Sequence, residues 1–149
     1  MAQVTATKST TIAASPETVR AAIEDYTRRG EILPPNYHDY RVLEGGQGAG
    51  TVAAWTLQAT EKRSRDVKAT VTVDGDTVTE TDANSSMVTT YRVVAADGAG
   101  DGTSVTVTTT WQGAGGIGGF FEKTFAPKGL GRIYDELLTN LKVQVESNG

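Results

Sequence analysis

From Tyr37 to Trp111 the chain alternates apolar and polar residues with a period of two, interrupted by short turns. Ala53, Trp55, Leu57 and Ala59 share one face of a strand over Thr51–Thr60, and Val67, Ala69, Val71 and Val73 share one face of Arg65–Val73. Met87, Thr89, Tyr91 and Val93 alternate next, then Val105, Val107, Thr109 and Trp111. Tyr40, Val42 and Leu43 predict a short strand, and Thr77 to Thr81 another. Asp74-Gly75-Asp76 is a hairpin turn and Asp97 to Gly102 a second turn region. The links are too short for crossover helices, so neighbouring strands pair antiparallel. One face is apolar and the other is rich in Thr, Lys and Glu. The pattern describes a sheet wet on one side and covered on the other.

The flanks supply a further strand and the cover. Val4 to Ile12 alternates, with Val4, Ala6, Thr10 and Ile12 on one face and Lys8 breaking it, as expected near an end of the sheet. Ser15-Pro16-Glu17 starts a helix, with Ser15 as cap and Pro16 at the first helical position. Val19, Ala22, Ile23 and Tyr26 continue it, and Gly30 with Pro34-Pro35 is expected to stop it. A second helical turn is expected around Arg28 to Leu33. At the C-terminal end Leu130, Ile133, Tyr134, Leu137, Leu138, Leu141 and Val145 recur at helical spacing, long enough to cross a sheet. Pro127, Gly129 and Gly131 predict a kink or a late start to that helix.

The 149 residues fit one domain, 1–149, and 38% hydrophobic against 21% charged residues can bury a core. The chain has no Cys, which excludes disulfides and thiolate metal sites. A single histidine excludes a His-rich metal site, and no EF-hand spacing occurs. Acidic residues outnumber basic ones 18 to 14, which speaks against nucleic acid as a partner. No apolar run is long enough to insert stably in a membrane, and Met1 to Lys8 has no signal-peptide pattern. The expected location is cytoplasmic. A homodimer is compatible with the sequence.

Three segments carry a family resemblance: Ile12-Ala13-Ala14-Ser15-Pro16-Glu17-Thr18-Val19, the Gly-rich run Glu44 to Thr51, and the closing helix from Arg132 to Lys142. The chain resembles the START-like, or SRPBCC, superfamily of polyketide cyclase/dehydrase, lipid-transport and pollen-allergen-like proteins. The resemblance implies an α+β helix-grip fold. In it a curved antiparallel sheet of about seven strands, in the order β-α-α-β6-α, wraps around a long C-terminal helix. It also implies a cavity between sheet and helix that holds a lipid, acyl chain or polyketide-like aromatic. Arg20 departs from the pattern, since many relatives place an aromatic there, and so does the broken helix start.

Gly113-Ala114-Gly115-Gly116-Ile117-Gly118 spells a dinucleotide fingerprint but lacks the parallel βαβ unit and the following strand-end acid. It reads as a strand-to-helix connection. The Gly45 to Gly50 loop lacks the Lys-Ser/Thr pair of a phosphate loop and reads as a tight hairpin. No cofactor is expected. The expected ligand-binding residues are Tyr26, Trp55, Leu57, Val71, Tyr91, Trp111, Phe121, Phe125, Tyr134 and Leu137, on inward parity or beside the long helix. Small neighbours, Ala53, Ala59, Ala69 and Thr89, leave room between them.

No catalytic residue is assigned; Tyr91, Arg65 and His38 are weak candidates. The first reading is a non-catalytic binder or carrier of a hydrophobic small molecule, gated at Phe120 to Gly131. The second is a polyketide cyclase/aromatase-like enzyme or hydrolase, in which a Tyr or Arg polarises a carbonyl. A third is a regulatory or dimerising module with a filled cavity.

Overall fold

The computed structural model describes residues 3–60, 63–96, 102–112 and 127–148. Strands β1 (Gln3–Ile12), β2 (Tyr37–Glu44), β3 (Val52–Thr60), β4 (Arg63–Asp74), β5 (Thr77–Asp82), β6 (Val88–Ala95) and β7 (Thr103–Gln112) form one sheet. Its order is β1-β7-β6-β5-β4-β3-β2, and every pairing is antiparallel. Helix α1 (Pro16–Glu24) and a 3-10 turn (Arg29–Glu31) lie between β1 and β2, and helix α2 (Pro127–Asn148) closes the chain. This is the helix-grip architecture expected from the sequence.

The register gives each face its character. On the solvent face Thr7, Thr108, Thr90, Thr79 and Thr72 stand opposite one another across five strands. β-Branched side chains fit the pleat, and the Thr7 and Thr108 hydroxyls bond to each other at 3.0 Å. One row on the inner face runs Ala6, Thr109, Thr89, Glu80, Val71. Glu80 is only 6% exposed, a charged residue on the mostly apolar face. Helix α2 lays Leu130, Leu137, Leu138 and Leu141 into the inner face, each fully buried.

Helix α1 starts as its residues dictate: the Ser15 hydroxyl accepts the Thr18 N–H at 3.2 Å, and Pro16 follows the cap. It ends at Glu24, well before Gly30, which corrects the expected stop. The cause is the glycine loop between β2 and β3. Gly48 N–H donates to the Glu24 carbonyl at 2.9 Å, and Tyr26 N–H donates to the Gly46 carbonyl at 2.9 Å. The loop thus adds a donor to a carbonyl at the helix end, which the Tyr26 N–H also reaches at 3.1 Å. Gly46 has φ +138, and a Cβ there would sit 2.8 Å from Thr27 Cγ2. Gly46→Ala is expected to lower unfolding free energy by about 1–3 kcal/mol. An unchanged melting temperature would show that the close packing of this loop has no energetic weight.

Helix α2 is continuous from Pro127 through both glycines, so the expected late start or kink is not seen. Gly131 has a physical reason: a Cβ there would meet Lys8 Cε at 3.0 Å. Lys8, on the outermost strand β1, passes over this gap and pairs with Asp135 at 3.3 Å. Strand β2 is longer than expected, beginning at Tyr37 instead of Tyr40. Pairing with β3, from Tyr37 opposite Leu57, carries it through irregular register. The Gly113 to Gly118 motif, Phe121, Phe125 and the N-terminal part of the expected gate lie outside the described residues.

Candidate functional site

The chain has five tyrosines, and all of them come together on the inner side of the sheet. Tyr26 follows α1, Tyr37 and Tyr40 belong to β2, Tyr91 to β6 and Tyr134 to α2. Trp55 of β3 adjoins them, its ring centroid 5.9 Å from Tyr37 and 6.0 Å from Tyr40. The Trp55 indole N–H is buried with no hydrogen-bond partner among the described residues.

A buried ion pair stands among these rings. Arg29 Nη1 donates to Glu80 Oε2 at 3.0 Å, and Tyr26 Oη donates to the same oxygen at 2.6 Å. Arg29 Nη2 donates to the Ile23 carbonyl. The guanidinium carbon lies 4.2 Å from the Tyr26 ring centre and 5.1 Å from that of Tyr91, within cation–π range. The 3-10 turn delivers Arg29 to this place, and the inward parity of β5 delivers Glu80.

A second polar string crosses the same row. Thr89 and Thr109 share a hydroxyl hydrogen bond of 2.7 Å, and Thr109 is bonded to the Tyr134 hydroxyl. Tyr134 thereby ties α2 to β7. Tyr40 Oη donates to the Tyr26 carbonyl at 2.7 Å, tying β2 to the segment after α1.

Burial sets the electrostatics. It pushes the Tyr134 phenol up to about 12, with the Thr109 and Thr89 hydrogen bonds acting the other way. It pushes Tyr40 up to about 12 as well. Tyr26, Tyr37 and Tyr91 are raised too, by burial first and then, for Tyr26 and Tyr91, by the Glu80 carboxylate. At Arg29 burial opposes the charge, but the net direction is upward, and the guanidinium stays charged opposite the Glu80 carboxylate. All five phenols are therefore neutral hydroxyls at ordinary pH.

Of the residues singled out from the sequence, Tyr26, Trp55, Leu57, Val71, Tyr91, Trp111, Tyr134 and Leu137 fall in one continuous buried cluster. His38 does not join them: it sits on the outward parity of β2 and is exposed. Arg65 lies at the end of β4, partly exposed, and donates from Nη2 to the Asn84 carbonyl at 2.7 Å. Sequence reasoning missed Arg29, Glu80, Tyr37 and Tyr40. A signal for Glu80 was present: Thr77, Thr79 and Thr81 continue the outer threonine rows, which leaves Val78 and Glu80 to point inward. An open groove of about 240 Å³ runs between α1 and α2, with Ala21, Ala22 and Val145 among its lining residues, and it contains none of the tyrosines. Among the described residues no helix is long and apolar enough to cross a membrane.

No curated protein matches the chain. Solved structures do. The KanY protein, determined by NMR, is 60% identical over 98% of this chain and 99% of its own, with a TM-score of 0.87. A protein from Thermus thermophilus is 19% identical, with 97% and 99% of the two chains covered and a TM-score of 0.77. The Zhui aromatase/cyclase from Streptomyces sp. R1128 is 17% identical, with 97% and 94% covered and a TM-score of 0.70. At such identity the last two show the fold alone. The family model for polyketide cyclase/dehydrase and lipid transport matches residues 1–146, and the chain belongs to that family.

Proposed function

We propose that the chain binds a hydrophobic small molecule between the sheet and α2, with the tyrosine hydroxyls and the Trp55 indole N–H as polar anchors. One observation carries this reading: five tyrosines and an ion pair are gathered in an interior that apolar side chains would fill at lower cost. A ligand site combines apolar walls with a few convergent polar groups, and this face has both. Burial of the ligand's own apolar surface supplies the affinity, about 25 cal/mol per Å². Leu57, Val71, Trp111 and Leu137 are the apolar wall in this reading, and Tyr26, Tyr91 and Tyr134 the polar contacts. Phe121 and Phe125 remain proposed contacts from the segment before α2.

The test is titration of the purified protein with a neutral fluorescent hydrocarbon probe, alongside native mass spectrometry and solvent extraction. Saturable brightening at one site, or a co-purified apolar compound, is the expected result. An empty protein that leaves the probe dark would instead favour a filled core and an interaction role.

A catalytic reading, as a cyclase or aromatase, is favoured by one contact: the Tyr91 ring against the Arg29 guanidinium. A phenol held neutral beside a fixed positive charge is suited to polarising a carbonyl. Loss of turnover in Tyr91→Phe with binding retained would support this second reading.

A further inference from the structure

Among the described residues three charged side chains are buried: Arg29, Glu80 and Asp82. Each is already partnered within the protein, with the Arg29 Nε–H alone of their donors lacking a hydrogen-bond acceptor among the described residues. Arg29 and Glu80 are 3% and 6% exposed and neutralise one another at 3.0 Å. Asp82, at the far end of β5, accepts the Lys68 and Asn84 N–H groups at 3.0 Å each and the Ser85 hydroxyl at 2.6 Å. Other polar groups of the inner face include the neutral phenols, the Thr89–Thr109 hydroxyl pair and the Trp55 and Trp111 indole N–H groups.

An interior of this kind has no uncompensated charge to offer a charged guest. A carboxylate brought beside Glu80 loses its hydration and meets a like charge, and an ammonium brought beside Arg29 does the same. A neutral guest with an oxygen acceptor meets neither cost and can accept from a buried N–H. From this balance we infer that the Arg29–Glu80 pair is a charge-selectivity element. It restricts the site to uncharged oxygen-bearing ligands such as alcohols, ketones or esters, and rejects free carboxylates and amines. The inference rests on the binding reading above and narrows its ligand class.

The pair also predicts how selectivity can be reversed. In Glu80→Gln the amide oxygen still accepts from Tyr26, but Arg29 becomes a buried cation with no counter-charge. A carboxylate guest then supplies what Glu80 supplied. Anions should be gained where they were excluded, an effect that simple damage to the fold would not produce.

The experiment compares three shape-matched fluorescent probes: anthracene-methanol, anthracene-carboxylate and aminomethyl-anthracene. On the unaltered protein near neutral pH the alcohol should bind at least about tenfold more tightly than either ion. In Glu80→Gln the preference for alcohol over carboxylate should fall at least about tenfold, while the ammonium probe stays excluded. If the unaltered protein binds the carboxylate or the ammonium as tightly as the alcohol, the selectivity inference is overturned and the binding reading stands. If none of the three binds, the binding reading itself fails. A folded Glu80→Gln protein with unchanged preferences would overturn the role given to the pair. Should the variant not fold, the three probes on the unaltered protein decide the question alone.

Discussion

Arg29→Met lowers the free energy of unfolding by about 3–5 kcal/mol. The substitution keeps most of the stem volume and deletes the charge that answers Glu80. What remains is a carboxylate 6% exposed, with the Tyr26 hydroxyl at 2.6 Å still donating to it. The cost arises from that stranded charge, so relieving the charge should restore stability. The double variant Arg29→Met/Glu80→Gln is expected to recover most of the loss, because a neutral amide still accepts from Tyr26. Urea denaturation measures both, with an unchanged dependence on denaturant showing that the unfolding reaction is the same. A single variant that loses less than about 1 kcal/mol would mean that the pair is not desolvated in solution. The same pair joins the segment after α1 to β5, across 51 residues of chain.

The sheet was legible because alternation is a local signal. Val105, Val107, Thr109 and Trp111 declare their face within one short strand, and the register then follows from short hairpins. The closing helix was legible for the same reason, since its leucines recur at helical spacing. The ion pair was not. Arg29 sits on a 3-10 turn too short to show a period, and its direction is fixed by a carboxylate 51 residues away. Glu80 had an outer threonine on each side, but a charge on an inward position runs against the usual cost of burial, so parity alone was a weak guide.

The glycines show a different limit. Gly46 and Gly48 spell a tight hairpin, which they form, but their second task is to let backbone approach the end of α1. Gly131 has the look of a weak point in a helix, and it is instead where the Lys8 stem crosses. In each case the residue is explained by a neighbour distant in sequence, which a single chain read in order cannot show. The tyrosines lie between these cases. Tyr26, Tyr91 and Tyr134 followed from parity or helical spacing, whereas Tyr37 and Tyr40 lie on a strand whose register shifts after His38.

That gathering of tyrosines makes alkaline unfolding abrupt. All five phenols are raised by burial, so above the ordinary tyrosine value of roughly 10 the unfolded chain gives up protons that the folded chain retains. The folded state then binds more protons than the unfolded one, and stability falls as pH rises. Below that value the phenols are neutral in both states and their effect on stability is constant. Each deeply buried tyrosine contributes about 1.4 kcal/mol per pH unit once it ionises in the unfolded chain. Tyr26, Tyr91 and Tyr134 together remove about 4 kcal/mol by about pH 11, and Tyr37 and Tyr40, both only part-buried, add less. Stabilities of ordinary domains are about 5–15 kcal/mol, so the protein should unfold within about one further pH unit. The tyrosinate absorbance and the far-ultraviolet circular dichroism should change together, in one transition steeper than a single ionisation. Gradual appearance of tyrosinate near the ordinary value, with the dichroism of the sheet intact, would mean that the phenols are open to water and that the site is not the closed interior described here.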